Sequence, residues 1–357
     1  MIYIRLFTFY LCYLTCVCSI PSIKNLYVED ILHNDFINWK SNFNKYYYDK
    51  EHNERFVIFK NNIDFINKHN KLYENGVESF YMNINQFTDM SNLEFSYKMN
   101  GYKEYLKNTT LKNYYGINIG NKCTHYNITD IPDSIDWRQQ NAVTEIKNQG
   151  QCGSCWSFST TGALEGAWKV AGNGIISLSE EELVQCDKKH DNGCNGGIME
   201  NAYEWVIKNG GITTEKNYPY TSGNGINGKC NYNKSMHHVV TITDYCELNH
   251  NDEKDLEKAL VQQPIAVGIE ADKKSFQFYS GGIFPAIKCG SKLDHGVLAF
   301  GYGIDNKKNM KYWIVKNSWG ESWGDNGYIK LEKDPSKKHH KKISTCGIAK
   351  AASYPVV

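Results

Sequence analysis

The sequence predicts an α+β protein made of two subdomains of different class, and three observations carry that prediction. Apolar residues recur at helical spacing in the earlier part of the chain, and strand-like runs take over beyond about residue 240. Near Ile131-Pro132 the composition turns rich in Gly, Cys and Trp, which marks a boundary between two bodies. The chain has 357 residues, enough for one large domain or two modest ones, each with a real core.

The chain opens on MIYIRLFTFYLCYLTCVCSI, where Arg5 precedes an apolar run that ends in small residues. The run is short and promptly ended, so it reads as a secretory signal cut after Ser19, with a retained anchor as the alternative. No later segment reaches about 18 consecutive apolar residues, so the rest is expected to be soluble. From residue 25 to 100 the chain is charged and aromatic. Ile58, Phe59, Ile63, Phe65 and Ile66 recur at helical spacing, while Glu54, Arg55, Lys60 and Lys68 fill the other face. Two or three amphipathic helices are expected there. The alternating Tyr81–Phe87 stretch reads as a strand, and residues 101–130 as an exposed linker open to proteolysis.

A strong helix is expected from Ser154 or Cys155 to Gly172, a second from the capping pattern Ser179-Glu180-Glu181-Glu182, and a third from Met199 to Lys208 before Gly210-Gly211. Strands are expected at Ile265–Ile269, Gly296–Tyr302, Tyr312–Lys316 and Tyr328–Leu331. A helical half followed by a strand-rich half places a ligand site in the cleft between them. The one biased run, Lys337-Lys338-His339-His340-Lys341-Lys342, reads as a solvated loop tip.

Forty Lys+Arg against 39 Asp+Glu leave a formal charge of +1, which gives no reason to expect nucleic acid or an anionic membrane as partner. Of 12 cysteines, Cys12, Cys16 and Cys18 would leave with the signal; the remainder is odd in number, so at least one thiol is left over. Asn108, Asn127 and Asn233 begin glycosylation sequons, which weakly support secretion.

The run Gln149-Gly150-Gln151-Cys152-Gly153-Ser154-Cys155-Trp156 is the most informative stretch. A thiol at a helix start faces unpaired N–H groups and the positive end of the helix dipole, and both favour thiolate. A nucleophilic thiol needs a base, and the base needs an orienting group. Asp294-His295-Gly296 supplies an imidazole, and Lys316-Asn317-Ser318-Trp319-Gly320 supplies an amide that can accept its N–H without adding charge.

With these residues in view, the sequence resembles the papain family of cysteine proteases, and within it the cathepsin L branch. His295 lies 140 residues beyond Cys155 and Asn317 lies 162 beyond. Upstream, Glu51, Arg55, Phe59, Asn62, Ile66 and Asn70 match the spaced helical motif of cathepsin L-like propeptides. Asn83, Asn85, Phe87 and Asp89 match a second propeptide motif, in which Asn83 replaces the usual Gly. The resemblance implies a papain-like fold with a helical left domain and an antiparallel, barrel-like right domain, preceded by a mainly helical prodomain. It implies a signal over 1–19, an inhibitory propeptide over 20–130 and a mature peptidase over 131–357, divided near residue 240.

The resemblance further implies disulfides Cys152–Cys194, Cys186–Cys230 and Cys289–Cys346, which leave Cys155 free. Cys246 is then either a buried thiol or the partner of Cys123. Cys155 and His295 are expected to form a thiolate–imidazolium pair that attacks the scissile carbonyl and protonates the leaving amine, by way of a thioester. Gln149 and the Cys155 N–H would hold the oxyanion, Asn317 would orient His295, and Trp319 would shield that bond. Ile198, Met199, Gly268, Leu293 and Ala351 would line an apolar pocket for the second residue before the cut, favouring Leu, Phe or another bulky side chain. Gly196, Gly197 and Asp294 would complete the substrate cleft. The propeptide would inhibit by lying across that cleft, held partly by ion pairs of Glu51 and Asp89 that acid weakens. Segment 334–345 reads as an insertion whose basic tip could recruit acidic partners.

No cofactor and no metal are expected. The partners implied are protein and peptide substrates, the chain's own propeptide and cystatin-type inhibitors, for a monomer in an acidic vesicle or outside the cell. A zinc site at Cys186, His190 and Cys194 is the minor alternative. Two rival functions compete: a thiol–disulfide oxidoreductase that pairs Cys152 with Cys155, and a non-catalytic binding or inhibitory homologue.

Overall fold

The computed structural model describes residues 23–104, 122–335 and 344–357, in two units, 1–56 and 57–357. The expected signal and the basic tip at 337–342 lie outside the described residues. In the first unit, helix α1 (Ile23–Asn42) carries Phe36, which stacks on Trp39 and Tyr47 and meets His52 edge-on. Helix α2 (Asp49–Glu74) starts with Asp49 and Glu51 in its first turn, where carboxylates suit the helix dipole, and it runs from the first unit into the second.

In the second unit the face of α2 bearing Phe59, Asn62, Ile66 and His69 is buried, at the spacing of one helical stripe. Its polar members bracket the loop that follows. Asn62 donates to the carbonyls of Thr88 and Met90, His69 bonds the Phe80 carbonyl, and Asn70 exchanges two bonds with Met82. Strand β1 is shorter than expected, Phe80–Met82. Beyond it Asn85 and Thr88 satisfy each other's backbone groups, a local turn that competes with any continuing strand. Helix α3 (Asn92–Met99) is capped by Ser91.

The expected exposed linker is only partly that. Residues 101 and 102 are buried, and His125 is fully buried in a short 3-10 turn. Both stretches find specific partners that linker composition does not announce.

Beyond a short β2 (Ile135–Asp136) come three helices: α4 (Cys155–Val170), α5 (Glu180–Cys186) and α6 (Met199–Asn209). The Ser179 hydroxyl caps α5, and Gly210 ends α6 with φ 82°, a left-handed turn that glycine adopts without strain. Helix α4 is buried along nearly its whole length although it carries Ser157, Ser159, Thr160 and Thr161. Ser157, Thr160 and Thr161 donate to carbonyls of α4's own turns or its cap, and Ser159 donates across to Val297.

The remaining strands are β3 (Asp244–Glu247), β4 (Ile265–Ile269), β5 (Tyr279–Phe284), β6 (His295–Asp305), β7 (Met310–Lys316), β8 (Tyr328–Glu332) and β9 (Ala352–Val356). The sheet runs in the order β1-β5-β8-β7-β6-β4-β9-β3, with β2 on β6, and it is antiparallel apart from the β5–β8 pair. Helix α7 (Glu253–Gln262) interrupts the strand-rich half, capped by Asp252 and burying Leu256, Ala259 and Leu260. One apolar core sits on the sheet and takes in Ile66, Phe80, Phe87 and Phe95 from the N-terminal segment; a second surrounds α4.

Asn62 donates to two carbonyls in a buried loop, so Asn62→Ala leaves Thr88 O without that donor and Met90 O with Gln277 alone. We expect a loss of about 2 kcal/mol in the full-length protein, read as a lower urea midpoint. The fragment beginning at 131 has no such bonds to lose.

Candidate active site

Two walls meet at the thiol. Cys155 is the first residue of α4, preceded by Ser154 as cap residue, and it is fully buried. It is the free cysteine among the described residues. Its Sγ accepts the Gly296 N–H from β6 at 3.3 Å and the Gly101 N–H from the N-terminal segment at 3.3 Å. His295 opens β6, one residue before that Gly296 donor.

The imidazole Nε2 lies 2.7 Å from Asn317 Oδ1, which also accepts the Ser318 N–H. Because Oδ1 can only accept, Nε2 carries the proton, and Nδ1 keeps the lone pair and has no hydrogen-bond partner. The Trp319 ring stacks on His295 at 4.5 Å and is itself fully buried, closing that bond off from water.

Burial dominates the electrostatics. It pushes the Cys155 thiol up to about 11, against the opposing pull of the Gly296 and Gly101 N–H groups. It pushes the His295 imidazole down to about 4, although the bond to Asn317 works the other way. With the N-terminal segment in place, thiol and imidazole are therefore both neutral near pH 7. The helix-start donors are present, but water is excluded and the charged pair is not favoured.

The Gln149 side chain is fully buried, and its Nε2 donates to the Met99 and Cys152 carbonyls at 2.9 Å each. Ser318 Oγ holds the other end of that amide at 2.7 Å. The donor expected to serve an oxyanion is thus occupied by a peptide carbonyl of the N-terminal segment.

That segment is pinned to both walls. The Tyr102 N–H bonds Asp294 O at 2.9 Å, the Lys103 N–H bonds Gly197 O at 3.1 Å, and the Gly197 N–H bonds Gly101 O at 2.9 Å. Gly197 therefore pairs its backbone with the N-terminal segment, whereas Gly196 does not. Its N–H and carbonyl are used within its own loop, by Gly193 and Asn192, and it contributes space: a Cβ there would lie 2.4 Å from Gly101 O.

The expected apolar pocket is filled by Tyr102, 3% exposed, in one cluster with Ile198, Met199 and Leu293, and Ala351 packs at its edge. A Cβ on Gly268 would meet Tyr102 Cζ at 3.2 Å, so the missing side chain is what makes room. Asp294 contributes through its backbone. Its carboxyl, pushed up to about 7 by burial, accepts the Ala271 N–H.

Met99, Gly101 and Tyr102 were not legible as site residues, since they lie outside any motif and only their position on the cleft marks them. Ser318 sits inside the Asn-Ser-Trp run and was within reach.

Cys152–Cys194, Cys186–Cys230 and Cys289–Cys346 are disulfides as the resemblance implied, and a fourth, Cys123–Cys246, settles the open alternative against a buried thiol. Cys152 is bonded to Cys194 and not to Cys155, which removes the oxidoreductase reading. The same pairings remove the zinc reading, because Cys186 and Cys194 have no thiolate to offer. Cys123, His125 and Cys246 also cluster within 4.8 Å, but their sulfurs are joined to each other. Both His125 nitrogens are engaged as well.

Comparison with known proteins agrees with this geometry. Residues 131–356 match the papain family cysteine protease domain, and residues 36–95 match the cathepsin propeptide inhibitor domain. The chain is 42% identical to the KDEL-tailed cysteine endopeptidase CEP2 of Arabidopsis thaliana, over 93% of this chain and 88% of that one. It is 44% identical to the probable cysteine protease RD21B of Arabidopsis thaliana over 86% of this chain, and it spans 61% of that relative's length. Among solved structures it is similar to the proform of the ragweed pollen cysteine protease Amb a 11. The TM-score is 0.79 at 35% identity, covering 94% of this chain and 97% of that one. It is also similar to digestive procathepsin L 3 of Tenebrio molitor, with TM-score 0.78 at 38% identity, covering 92% and 99%.

A thiol near 11 is almost wholly protonated at pH 7, and only the thiolate alkylates. Iodoacetamide should therefore modify Cys155 in the full-length protein slowly, with a rate that rises with pH beyond 9. The processed protein should react fast at pH 6, and mass spectrometry of the Cys155 peptide reads the difference.

Proposed function

The chain belongs to the papain family of cysteine proteases, with a cathepsin propeptide inhibitor domain ahead of the peptidase domain, and from that premise we propose that it is a zymogen-type cysteine endopeptidase acting through Cys155 and His295. The observation that carries the proposal is a free thiol at a helix start that accepts the N–H of Gly296, next in the chain to an imidazole oriented by Asn317, together with a Gln149 amide aimed at a peptide carbonyl. Once residues 99–104 leave, water reaches the site and the thiolate–imidazolium pair becomes the favoured state. Cys155 then attacks the scissile carbonyl, Gln149 and the Cys155 N–H hold the oxyanion, His295 protonates the leaving amine, and water hydrolyses the thioester.

The pocket that takes Tyr102 supports a preference for Phe, Tyr or Leu at the second position before the cut, since Ile198, Met199 and Leu293 give it apolar walls that suit a bulky apolar side chain. Residues 20–130 act as the inhibitor. Glu51 pairs with Arg55 in its own helix. Glu78–Lys288 at 2.6 Å and Glu104–Lys350 at 3.5 Å join the segment to the peptidase domain. Among the described residues no helix is long and apolar enough to cross a membrane. The resemblance to a KDEL-tailed relative supports the secretory pathway, and we place the enzyme in an acidic vesicle or outside the cell, as a monomer open to cystatin-type inhibitors.

The test is hydrolysis of dipeptide-amide reporters with Phe, Leu or Arg before Arg, at pH 5.5, on processed protein. Activity should be abolished by Cys155→Ala or an epoxide thiol trap and fall roughly a hundred- to a thousandfold with Gln149→Ala. The reporter with Arg at the second position should be the poorest. Silence from folded, processed wild-type protein would turn the assignment toward a non-catalytic inhibitor or binding protein.

A Cβ on Gly101 would lie 1.8 Å from the Gly153 carbonyl oxygen, with backbone on both sides of the clash. Gly101→Ala should therefore lift the segment off the thiol. The expected readout is at least a tenfold faster alkylation of Cys155 in unprocessed protein, with the fold retained by circular dichroism.

A further inference from the structure

The pro-region grips the peptidase domain at a second place, far along the chain from the residues that cover the thiol. Cys123 is half-buried and bonded to Cys246 of β3, which is fully buried. The next two residues enter a polar socket between α7 and β9. The Thr124 N–H donates to the Tyr354 hydroxyl at 2.9 Å, and the Thr124 hydroxyl donates to Gln262 at 2.9 Å. His125 is 0% exposed, with Nδ1 2.9 Å from the Tyr354 hydroxyl and Nε2 2.8 Å from Asp255 Oδ1. Its ring meets Tyr354 edge-on at 5.6 Å. The Tyr354 hydroxyl accepts the Thr124 N–H, and the imidazole bridges that hydroxyl and the Asp255 carboxylate. Residues 123–125 lie outside both matched domains, which cover 36–95 and 131–356.

We propose that Cys246, Asp255, Gln262 and Tyr354 form a dedicated docking site for the Cys123-Thr124-His125 segment of this chain, latched by the Cys123–Cys246 disulfide, so that cleavage before Ile131 does not release the pro-region. Residues 99–104, which cover Cys155, lie on the same piece as Cys123. After a single cut between Asn127 and Ile131 they remain tied to the cleft at an effective concentration on the order of mM. Release needs either a second cut on the N-terminal side of Cys123 or opening of the latch by a small thiol. In the opening, a thiolate attacks Cys123 Sγ, the more accessible sulfur, and Cys246 leaves as thiolate and takes a proton. A second thiol resolves the mixed disulfide; two thiols are oxidised to a disulfide, and Cys123 and Cys246 are reduced. After a second cut alone, the processed enzyme keeps a short Cys123 peptide as part of its β half.

The inference rests on the zymogen reading for its consequence but not for its readout. Full-length protein is matured at pH 5.5 with and without a small dithiol, quenched with an alkylating agent, and weighed intact before and after reduction. Matured without dithiol, the protein should carry a Cys123-containing peptide that is lost on reduction, and Cys246 should escape alkylation until then. The Cys123→Ser/Cys246→Ser double variant should shed the peptide without reductant. A processed, unreduced wild-type protein with the mass of one chain beginning after Cys123, or with Cys246 alkylated beforehand, would overturn the latch. If the double variant fails to accumulate, the wild-type masses decide alone. A retained peptide whose mass still includes residues 99–104, with activity that appears equally fast in both conditions, would keep the latch and remove residues 99–104 as the inhibitor.

Discussion

The sulfur of Cys155 rests between two backbone N–H groups, from Gly101 on one side and Gly296 on the other, and much of the structure serves to hold that arrangement dry. For Gly101 to come so close, it passes the carbonyl oxygen of Gly153 at a distance that admits no side chain. Tyr102 then drops into the space left by Gly268, and Met99 offers its carbonyl to Gln149. Together these contacts remove water from a thiol that burial pushes up and an imidazole that burial pushes down. In the proposed mechanism, inhibition is both occupancy of the cleft and suppression of charge on Cys155 and His295.

Behind the thiol, α4 gains its rigidity from polar groups satisfied inside the protein. Glu165 on that helix and Glu180 on α5 share Lys147, at 3.0 and 2.6 Å. Lys316, whose amine burial pushes down to about 8, donates to the carbonyl and hydroxyl of Thr144 and precedes Asn317 directly. Buried charges of this kind are costly to leave unpaired, so the network ties the helix carrying the thiol to the strand that presents the orienting amide.

The N-terminal segment is part of the core and not only a cover. Phe87 and Phe95 meet the Trp319 ring edge-on at 5.7 and 5.1 Å, so the residue that shields His295 is packed from the pro-region side. Gln86 donates to the Trp319 carbonyl, and β1 extends the sheet through β5. Removing the segment exposes apolar surface as well as the cleft, which makes the full-length chain the better-packed species.

The sequence by itself determined the local grammar. It placed the thiol at a helix start because Ser154-Cys155 opens a helical run, put His295 at a strand entry and Asn317 at a strand end, and marked α6 by its glycine stop. These are short-range properties, read from spacing and propensity. Tertiary structure decided what long-range contact alone can decide. It shortened β1 through the Asn85–Thr88 turn, inserted α7 in the strand-rich half, and buried residues 101–102 and His125 in a stretch that reads as linker. It chose a disulfide for Cys246, since two cysteines 123 residues apart pair only when the fold brings them together. It also set the protonation of the thiol and imidazole, because the water around them is excluded by residues remote in sequence.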